Sequence, residues 1–60
     1  SELDERQFLR IHRSLLVNTY FIQSVVYLGN NEYEFTLSPN IKLKSSRSYK
    51  EHIEQYIQNS

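Results

Sequence analysis

The sequence predicts a mainly β domain that is built from short antiparallel hairpins and ends in one α-helix. Residues 33–37 and 41–44 alternate apolar and polar side chains at the period of a β-strand, on either side of a turn. From residue 49 the apolar spacing changes to that of an amphipathic helix. A chain of 60 residues has room for one core only. We therefore treat residues 1–60 as a single small domain, or part of one.

The first half of the chain is dominated by strand signals. Residues 8–12 form a short run with one apolar side and predict a strand. Residues 14–18 are too few for periodicity to decide between a strand and a helical turn. Residues 21–28 are mostly β-branched or aromatic, which predicts another strand. The Gly-Asn-Asn sequence at 29–31 then supplies a turn, because these residues tolerate positive φ.

A second hairpin follows. Residues 33–37 predict a strand, and the Ser-Pro-Asn sequence at 38–40 predicts the turn after it. Residues 41–44 predict the returning strand, with Ile41 and Leu43 inward and the two lysines outward. A platform that stacks single-stranded bases would expose its aromatic rings beside the lysines, whereas here they alternate with polar residues. We therefore expect the following rings in the core: Phe8, Phe21, Tyr33 and Phe35.

The last segment predicts a helix over residues 49–58. Its apolar stripe recurs at helical spacing and consists of Tyr49, Ile53, Tyr56 and Ile57. Ser48 and Glu51 have the spacing of a capping box, in which the serine hydroxyl and the glutamate each bond a free backbone N–H. The predicted strands leave a sheet edge exposed, which proteins usually cover or pair with another strand.

Composition excludes several classes of function. The chain has no cysteine and two histidines far apart in sequence, so neither a disulfide scaffold nor a structural zinc site is expected. No stretch approaches the ~20 apolar residues of a membrane span and no signal-peptide pattern is present, which predicts a cytoplasmic protein with no membrane contact. No nucleophile and base have a spacing that supports catalysis. We expect no enzymatic activity, no cofactor, no metal and no small-molecule substrate.

Charge is distributed in blocks although the net charge is zero. Residues 6–31 contain three arginines and no acid, and residues 35–50 contain three lysines and one arginine and no acid. If the two basic blocks meet in space, a neutral domain presents a basic face to a partner. On charge alone, a mixed and solvated surface is the simpler interpretation.

Residues 8–18 contain the sequence His12-Arg13-Ser14 followed by Val17-Asn18, and this segment resembles the central signature of the LytTR DNA-binding domain family. The later segments are similar too, including the residues from Ser46 to Lys50 that open the last helix. Departures include Leu15 where the family usually has an aromatic residue, and Ser45 where a valine or isoleucine is common. The resemblance covers the later part of the family's domain, so its first strands are expected to be absent from this chain.

The resemblance implies the output domain of a bacterial transcriptional regulator, typically a response regulator of a two-component system. Loops and turns, instead of a recognition helix, would enter the major groove of double-stranded DNA. Such domains bind paired promoter repeats as homodimers. We therefore expect sequence-specific binding to double-stranded DNA as the function.

Three candidate DNA-binding residues lie in the signature: His12, Arg13 and Ser14. Arginine can bond guanine O6 and N7 together, and the resemblance places Arg13 on the DNA-facing turn. Without the signature, a surface arginine paired with Glu2 or Glu5 would be the better interpretation. The histidine at position 12 is more often a residue that shapes the turn, and the serine can donate to a phosphate or cap the turn.

Two further candidates flank the start of the last helix, Arg47 and Lys50. Free backbone N–H groups at this end favour an anion, and two cations would strengthen phosphate binding. The alternatives are an ordinary helix entry and a solvated lysine. Asn18 is expected to be structural, bonding nearby backbone. Three other basic residues are expected to point outward and to keep the chain soluble: Arg10, Lys42 and Lys44.

A second function class remains open from the sequence. The exposed sheet edge could pair with a partner protein or with another copy of the chain, as a strand-exchanged dimer for example. Salt dependence separates the two, because DNA binding weakens steeply as salt rises and strand addition barely responds.

Overall fold

The computed structural model describes residues 7–59, which form five β-strands and one α-helix. The elements in chain order are β1 (Phe8–His12), β2 (Leu15–Asn18), β3 (Ile22–Gly29), β4 (Glu32–Leu37), β5 (Ile41–Lys44) and α1 (Lys50–Gln58). Strands β1 and β2 form a two-stranded antiparallel sheet, and β3, β4 and β5 form a three-stranded antiparallel sheet in that order. The predicted mainly β fold with a final helix is confirmed.

The first hairpin settles the ambiguity at residues 14–18, because Leu15–Asn18 is a strand. Leu9 pairs with Val17 across the hairpin, and both side chains are buried. Cross-strand apolar pairs of this kind stabilise a hairpin, and they select strand over helical turn here. The register shifts between Arg10 and His12, so the strand ends in an irregular turn.

The turn between β3 and β4 has the predicted backbone. Gly29, Asn30 and Asn31 all have positive φ, at 91°, 54° and 65°. Glycine and asparagine are the residues that adopt this region at low cost, which explains their presence together at this point. The resulting hairpin brings Tyr27 opposite Tyr33 and Val25 opposite Phe35.

The core lies where the two sheets and the helix meet. Its three fully buried side chains come from three different elements: Ile11 of β1, Phe35 of β4 and Ile53 of α1. Tyr33 is also buried, while Leu37 and the Tyr49 and Tyr56 rings of the predicted helix stripe pack at the margin. Within residues 7–59 neither sheet is part of a larger sheet that could form a core by itself. Burial of these apolar side chains therefore holds the helix against both sheets.

The segment after β5 connects the two sheets through hydrogen bonds. The Ser45 N–H donates to the Tyr33 carbonyl at 2.9 Å, and the Tyr33 N–H donates to Ser45 Oγ at 3.0 Å. The next amide, of Ser46, donates to the Ile11 carbonyl of β1 at 2.8 Å. Ser45 is buried, and its hydroxyl oxygen accepts from the Tyr33 backbone N–H. A valine or isoleucine at this position has no side-chain oxygen and would leave that N–H without this acceptor.

The helix starts differently from the prediction. A 3₁₀ turn (Arg47–Tyr49) precedes α1, and neither Ser46 nor Ser48 caps a backbone N–H with its side chain. The two serine hydroxyls bond each other at 3.1 Å instead. The predicted capping box of Ser48 and Glu51 is therefore wrong, because the 3₁₀ turn places the serine inside the turn rather than at the helix boundary.

Three of the residues expected on inward apolar faces are exposed: Phe21, Ile41 and Ile57, the last of which belongs to the predicted helix stripe and is 42% exposed. Phe21 is 46% exposed and lies in a 3₁₀ turn (Thr19–Phe21) that connects β2 to β3, where its ring meets the Tyr20 ring edge-on at 5.3 Å. Ile41 is 47% exposed because it opens an edge strand at the rim of its sheet. The outward position of both lysines of β5 is confirmed. Among residues 7–59, no helix has the length and apolar character needed to cross a membrane.

Candidate nucleic-acid interface

Arg13 lies at the tip of the β1–β2 hairpin with its side chain exposed. The strand residues on either side, His12 and Leu15, face each other, so the connection has two residues. Two-residue hairpin loops usually need positive φ, and neither loop residue has it. A side chain supports the turn instead, since Arg10 Nη1 donates to the Arg13 carbonyl at 3.1 Å.

No carboxylate within residues 7–59 is close enough to form an ion pair with Arg13. Its two expected surface partners, Glu2 and Glu5, lie outside the described residues. The guanidinium of Arg13 is thus displayed on a short, supported turn and is accessible to a ligand.

The His12 ring holds the other side of the same turn. The Ser14 N–H donates to His12 Nδ1 at 3.1 Å, and the Ser14 hydroxyl lies 3.0 Å from the same nitrogen. A backbone N–H can only donate, so Nδ1 must be the acceptor and the neutral ring carries its proton on Nε2. The predicted role of His12 in shaping the turn has this geometric basis. Ser14 likewise uses its hydroxyl within the turn in this structure.

Tertiary structure brings the segment that contains Arg47 next to β1, the strand that leads to Arg13. The hydrogen bond from Ser46 to Ile11 joins the two segments. Arg13 is two residues beyond one end of this bond, and Arg47 is one residue beyond the other. Three Cα–Cα steps of about 3.8 Å, together with the 2.8 Å hydrogen bond and the backbone atoms that flank it, put the two arginine Cα atoms at most roughly 18 Å apart. Both side chains are exposed.

Lys50 is partly exposed, but it already has a partner within the protein. Its Nζ forms an ion pair with Glu54 Oε2 at 2.8 Å, one helical turn further along α1. The Tyr33 hydroxyl donates to the same Glu54 oxygen at 3.3 Å. The hydrogen bond to Glu54 raises the pKa of Lys50, and the reciprocal bond lowers the pKa of Glu54. Burial, with the Glu54 charge second, raises the pKa of the Tyr33 hydroxyl.

Glu54 is the residue of this site that the sequence analysis missed. The signal was available, because Lys50 and Glu54 stand at i and i+4, where helical side chains are neighbours. The contribution of Tyr33 had no sequence signal, since Tyr33 lies on β4, 21 residues away from Glu54. A local pattern could identify the ion pair but not the third group.

The remaining polar and basic residues of the sequence prediction are Asn18, Lys42 and Lys44. Asn18 is structural as predicted, because its Oδ1 accepts from the Tyr20 N–H at 2.9 Å. Lys42 and Lys44 are exposed on β5, opposite Thr36 and Glu34 of the neighbouring strand. In the described part of the chain, His, Asp and Glu side chains nowhere gather in groups of three that could hold a metal ion.

Comparison with known proteins gives one family match. Residues 1–58 match the family described as the LytTr DNA-binding domain. The chain is 32% identical over 56 residues to the sensory transduction protein LytR of Staphylococcus saprophyticus, covering 93% of this chain and 22% of that protein. It is 34% identical to LytR of Staphylococcus epidermidis over 56 residues, with the same two coverages. It is 29% identical to the sensory transduction protein LytT of Bacillus subtilis over 56 residues, or 93% of this chain and 23% of that protein.

The chain thus spans about a fifth of the length of these relatives. No solved structure gives a significant match.

Proposed function

Because this chain belongs to the LytTR DNA-binding domain family, we propose that it binds double-stranded DNA sequence-specifically as the output module of a bacterial transcriptional regulator. The turn between β1 and β2 enters the major groove. The relatives are named as sensory transduction proteins, which supports a place at the end of a signalling pathway. The family is defined by DNA binding and not by a reaction, so we expect no catalysis.

One observation carries this proposal: the exposed Arg13 guanidinium at the tip of a supported turn, beside a second basic segment. Arg13 is proposed to bond guanine in the groove, because its planar fork matches the O6 and N7 acceptors together. The B-DNA major groove is about 12 Å wide. Arg47, which follows the residue bonded to β1, is proposed to contact a phosphate bordering the groove while Arg13 reaches a base.

Three further residues are proposed to support this contact. Lys50 contacts a second phosphate, and the Ser14 hydroxyl a third when it turns away from His12. His12 acts mainly by holding the turn through Nδ1. Recognition of paired promoter repeats by a homodimer would double these contacts, because protein two-fold symmetry matches repeated half-sites.

The test is selection of binding sequences from a pool of random duplexes at moderate salt, followed by sequencing. We expect enrichment of a short motif, repeated at a fixed spacing when the protein binds as a dimer. Circular dichroism on the same preparation verifies that the chain is folded. A folded chain that enriches no motif would contradict sequence-specific binding.

The role of His12 can be separated from direct DNA contact by two amide substitutions. An asparagine amide reaches the position of Nδ1, whereas a glutamine amide reaches that of Nε2. We expect His12→Asn to stay within about threefold of the original affinity, because it keeps an acceptor for the Ser14 N–H. His12→Gln should lose about two- to tenfold, the equivalent of one hydrogen bond. Fluorescence anisotropy on the selected duplex measures both, and the reverse order would indicate a contact through Nε2.

A second candidate function is favoured by the composition of β3. This edge strand carries no charged residue, and two of its apolar side chains, Val26 and Leu28, are 50% and 46% exposed. Charged residues are one of the usual protections against edge-to-edge pairing, so β3 is suited to adding a strand from a partner or a second copy. Binding that stays constant between low and high salt would favour this function over DNA binding.

A further inference from the structure

Lys50, a proposed phosphate contact, already holds an anion of the protein itself. Its Nζ lies 2.8 Å from Glu54 Oε2 on the next turn of α1. The lysine precedes the glutamate, which is the weaker of the two orders for a helical ion pair because it opposes the helix dipole. The side chains of Lys50 and Glu54 are 33% and 37% exposed. A phosphate can therefore approach the ammonium from solvent.

Glu54 is also held by a hydrogen bond from the three-stranded sheet. The Tyr33 hydroxyl donates to Glu54 Oε2 at 3.3 Å, and the Tyr33 ring is itself buried against the core. Ile53, the residue beside Glu54, is completely buried and fixes the rotation of the helix. The carboxylate is thus anchored to the protein, whereas the lysine that reaches it has a long and flexible side chain.

We propose that Glu54 is a positioning residue that sets DNA affinity by competing with a backbone phosphate for the Lys50 ammonium. The inference rests on the proposed DNA-binding function. A carboxylate and a phosphate use the same donors, so DNA must displace or share the bond that Glu54 makes. The fixed negative charge also repels the incoming phosphate. Lys50 therefore contributes less to binding than an unpaired lysine would.

The competition predicts how Glu54→Gln changes DNA binding. The amide oxygen of glutamine still accepts from the Tyr33 hydroxyl, while the negative charge beside Lys50 disappears. We expect binding to become about two- to fivefold tighter at low salt, in line with the strength of an exposed ion pair. The plot of log affinity against log salt should steepen by up to about 0.9, since one more lysine then neutralises a phosphate fully.

Glu51→Gln is the matched control. Glu51 lies on the same helix, is exposed, and forms no ion pair with any residue in the range 7–59. Glu51→Gln and Glu54→Gln change the net charge of the protein by the same amount. Any gain in DNA affinity that comes from net charge alone therefore appears in both variants. Each substitution is then repeated in a Lys50→Met background as a double-mutant cycle. We expect the effect of Glu54→Gln to depend on Lys50, and that of Glu51→Gln to be the same in both backgrounds.

The readouts are salt-dependent fluorescence anisotropy on one duplex and thermal unfolding by circular dichroism. Glu54→Asp is a second variant, for use if Glu54→Gln does not fold. It keeps the negative charge but moves the carboxylate one methylene away from Lys50. We expect Glu54→Asp to tighten DNA binding less than Glu54→Gln does. Weaker binding with a shallower salt slope in Glu54→Gln would overturn the proposal, because the carboxylate would then orient Lys50 towards DNA.

The competition for Lys50 and DNA binding itself are overturned by different results. A tightening that persists unchanged without Lys50 overturns the competition and leaves DNA binding intact. If Lys50→Met keeps the original salt slope, Lys50 makes no phosphate contact, and the competition is overturned as well. Failure of the original chain to bind any duplex overturns the proposed function itself.

Discussion

Arg13→Ala is expected to weaken binding to the selected DNA site by about 5- to 150-fold, which corresponds to about 1–3 kcal/mol. The physical reason is the loss of a forked donor pair that no neighbouring side chain can replace. Arg10, the nearest arginine on β1, uses its guanidinium to support the turn. Affinity for random duplexes should fall less, since only one charge is lost. Fluorescence anisotropy on specific and random duplexes measures the two affinities.

Arg13→Lys is the matched control for this prediction. It keeps the positive charge at the tip of the turn and removes the planar fork. We expect binding to random duplexes to be nearly unchanged, while discrimination at one base pair of the selected site is lost. An equal loss on specific and random DNA in Arg13→Ala would show that this arginine contacts the backbone and not a base.

Phe35→Ala is expected to lower the free energy of unfolding by about 3–5 kcal/mol. The ring is completely buried on the central strand of the three-stranded sheet, opposite Val25 and Leu43. A domain of this size rarely has more than about 3–5 kcal/mol of stability, so the variant should be largely unfolded at 25 °C. Urea denaturation followed by circular dichroism measures the change.

Phe21→Ala makes the same chemical change at an exposed position and serves as the control. The Phe21 ring is 46% exposed and meets the Tyr20 ring edge-on. We expect a smaller loss than for Phe35→Ala, because only about half of Phe21 is removed from water on folding and no closed cavity is left. Equal destabilisation by the two variants would contradict the assignment of Phe35 to the core and of Phe21 to the surface.

The strand and turn assignments show how far local patterns reach. The first strand, the 29–31 turn and the inward face of β4 were all predicted from residues close together in sequence. The period of side-chain burial and the conformational preferences of glycine and asparagine are properties of a few adjacent residues, so a single sequence contains them. The helix was placed within one residue for the same reason.

The errors occurred where burial depends on distant parts of the chain. Phe21 and Ile41 have apolar side chains in suitable local patterns, but about half of each residue stays exposed, in a connecting turn and on an edge strand. The capping box had the right residue types and failed because a 3₁₀ turn shifted the helix start. A local pattern does not show which groups pack over a residue, or in which conformation a preceding loop leads into a helix.

By itself the sequence determined the mainly β fold, the family signature around Arg13, and the presence of two acid-free basic blocks. Only the tertiary structure decided that the segments carrying Arg13 and Arg47 are joined, through the bond from the Ser46 amide to the Ile11 carbonyl, and that Glu54 binds both Lys50 and Tyr33. The physical reason is the distance along the sequence over which each interaction acts. Backbone preference and hydrophobic period act over a few residues, whereas these contacts join segments that the chain brings together only when its core is buried.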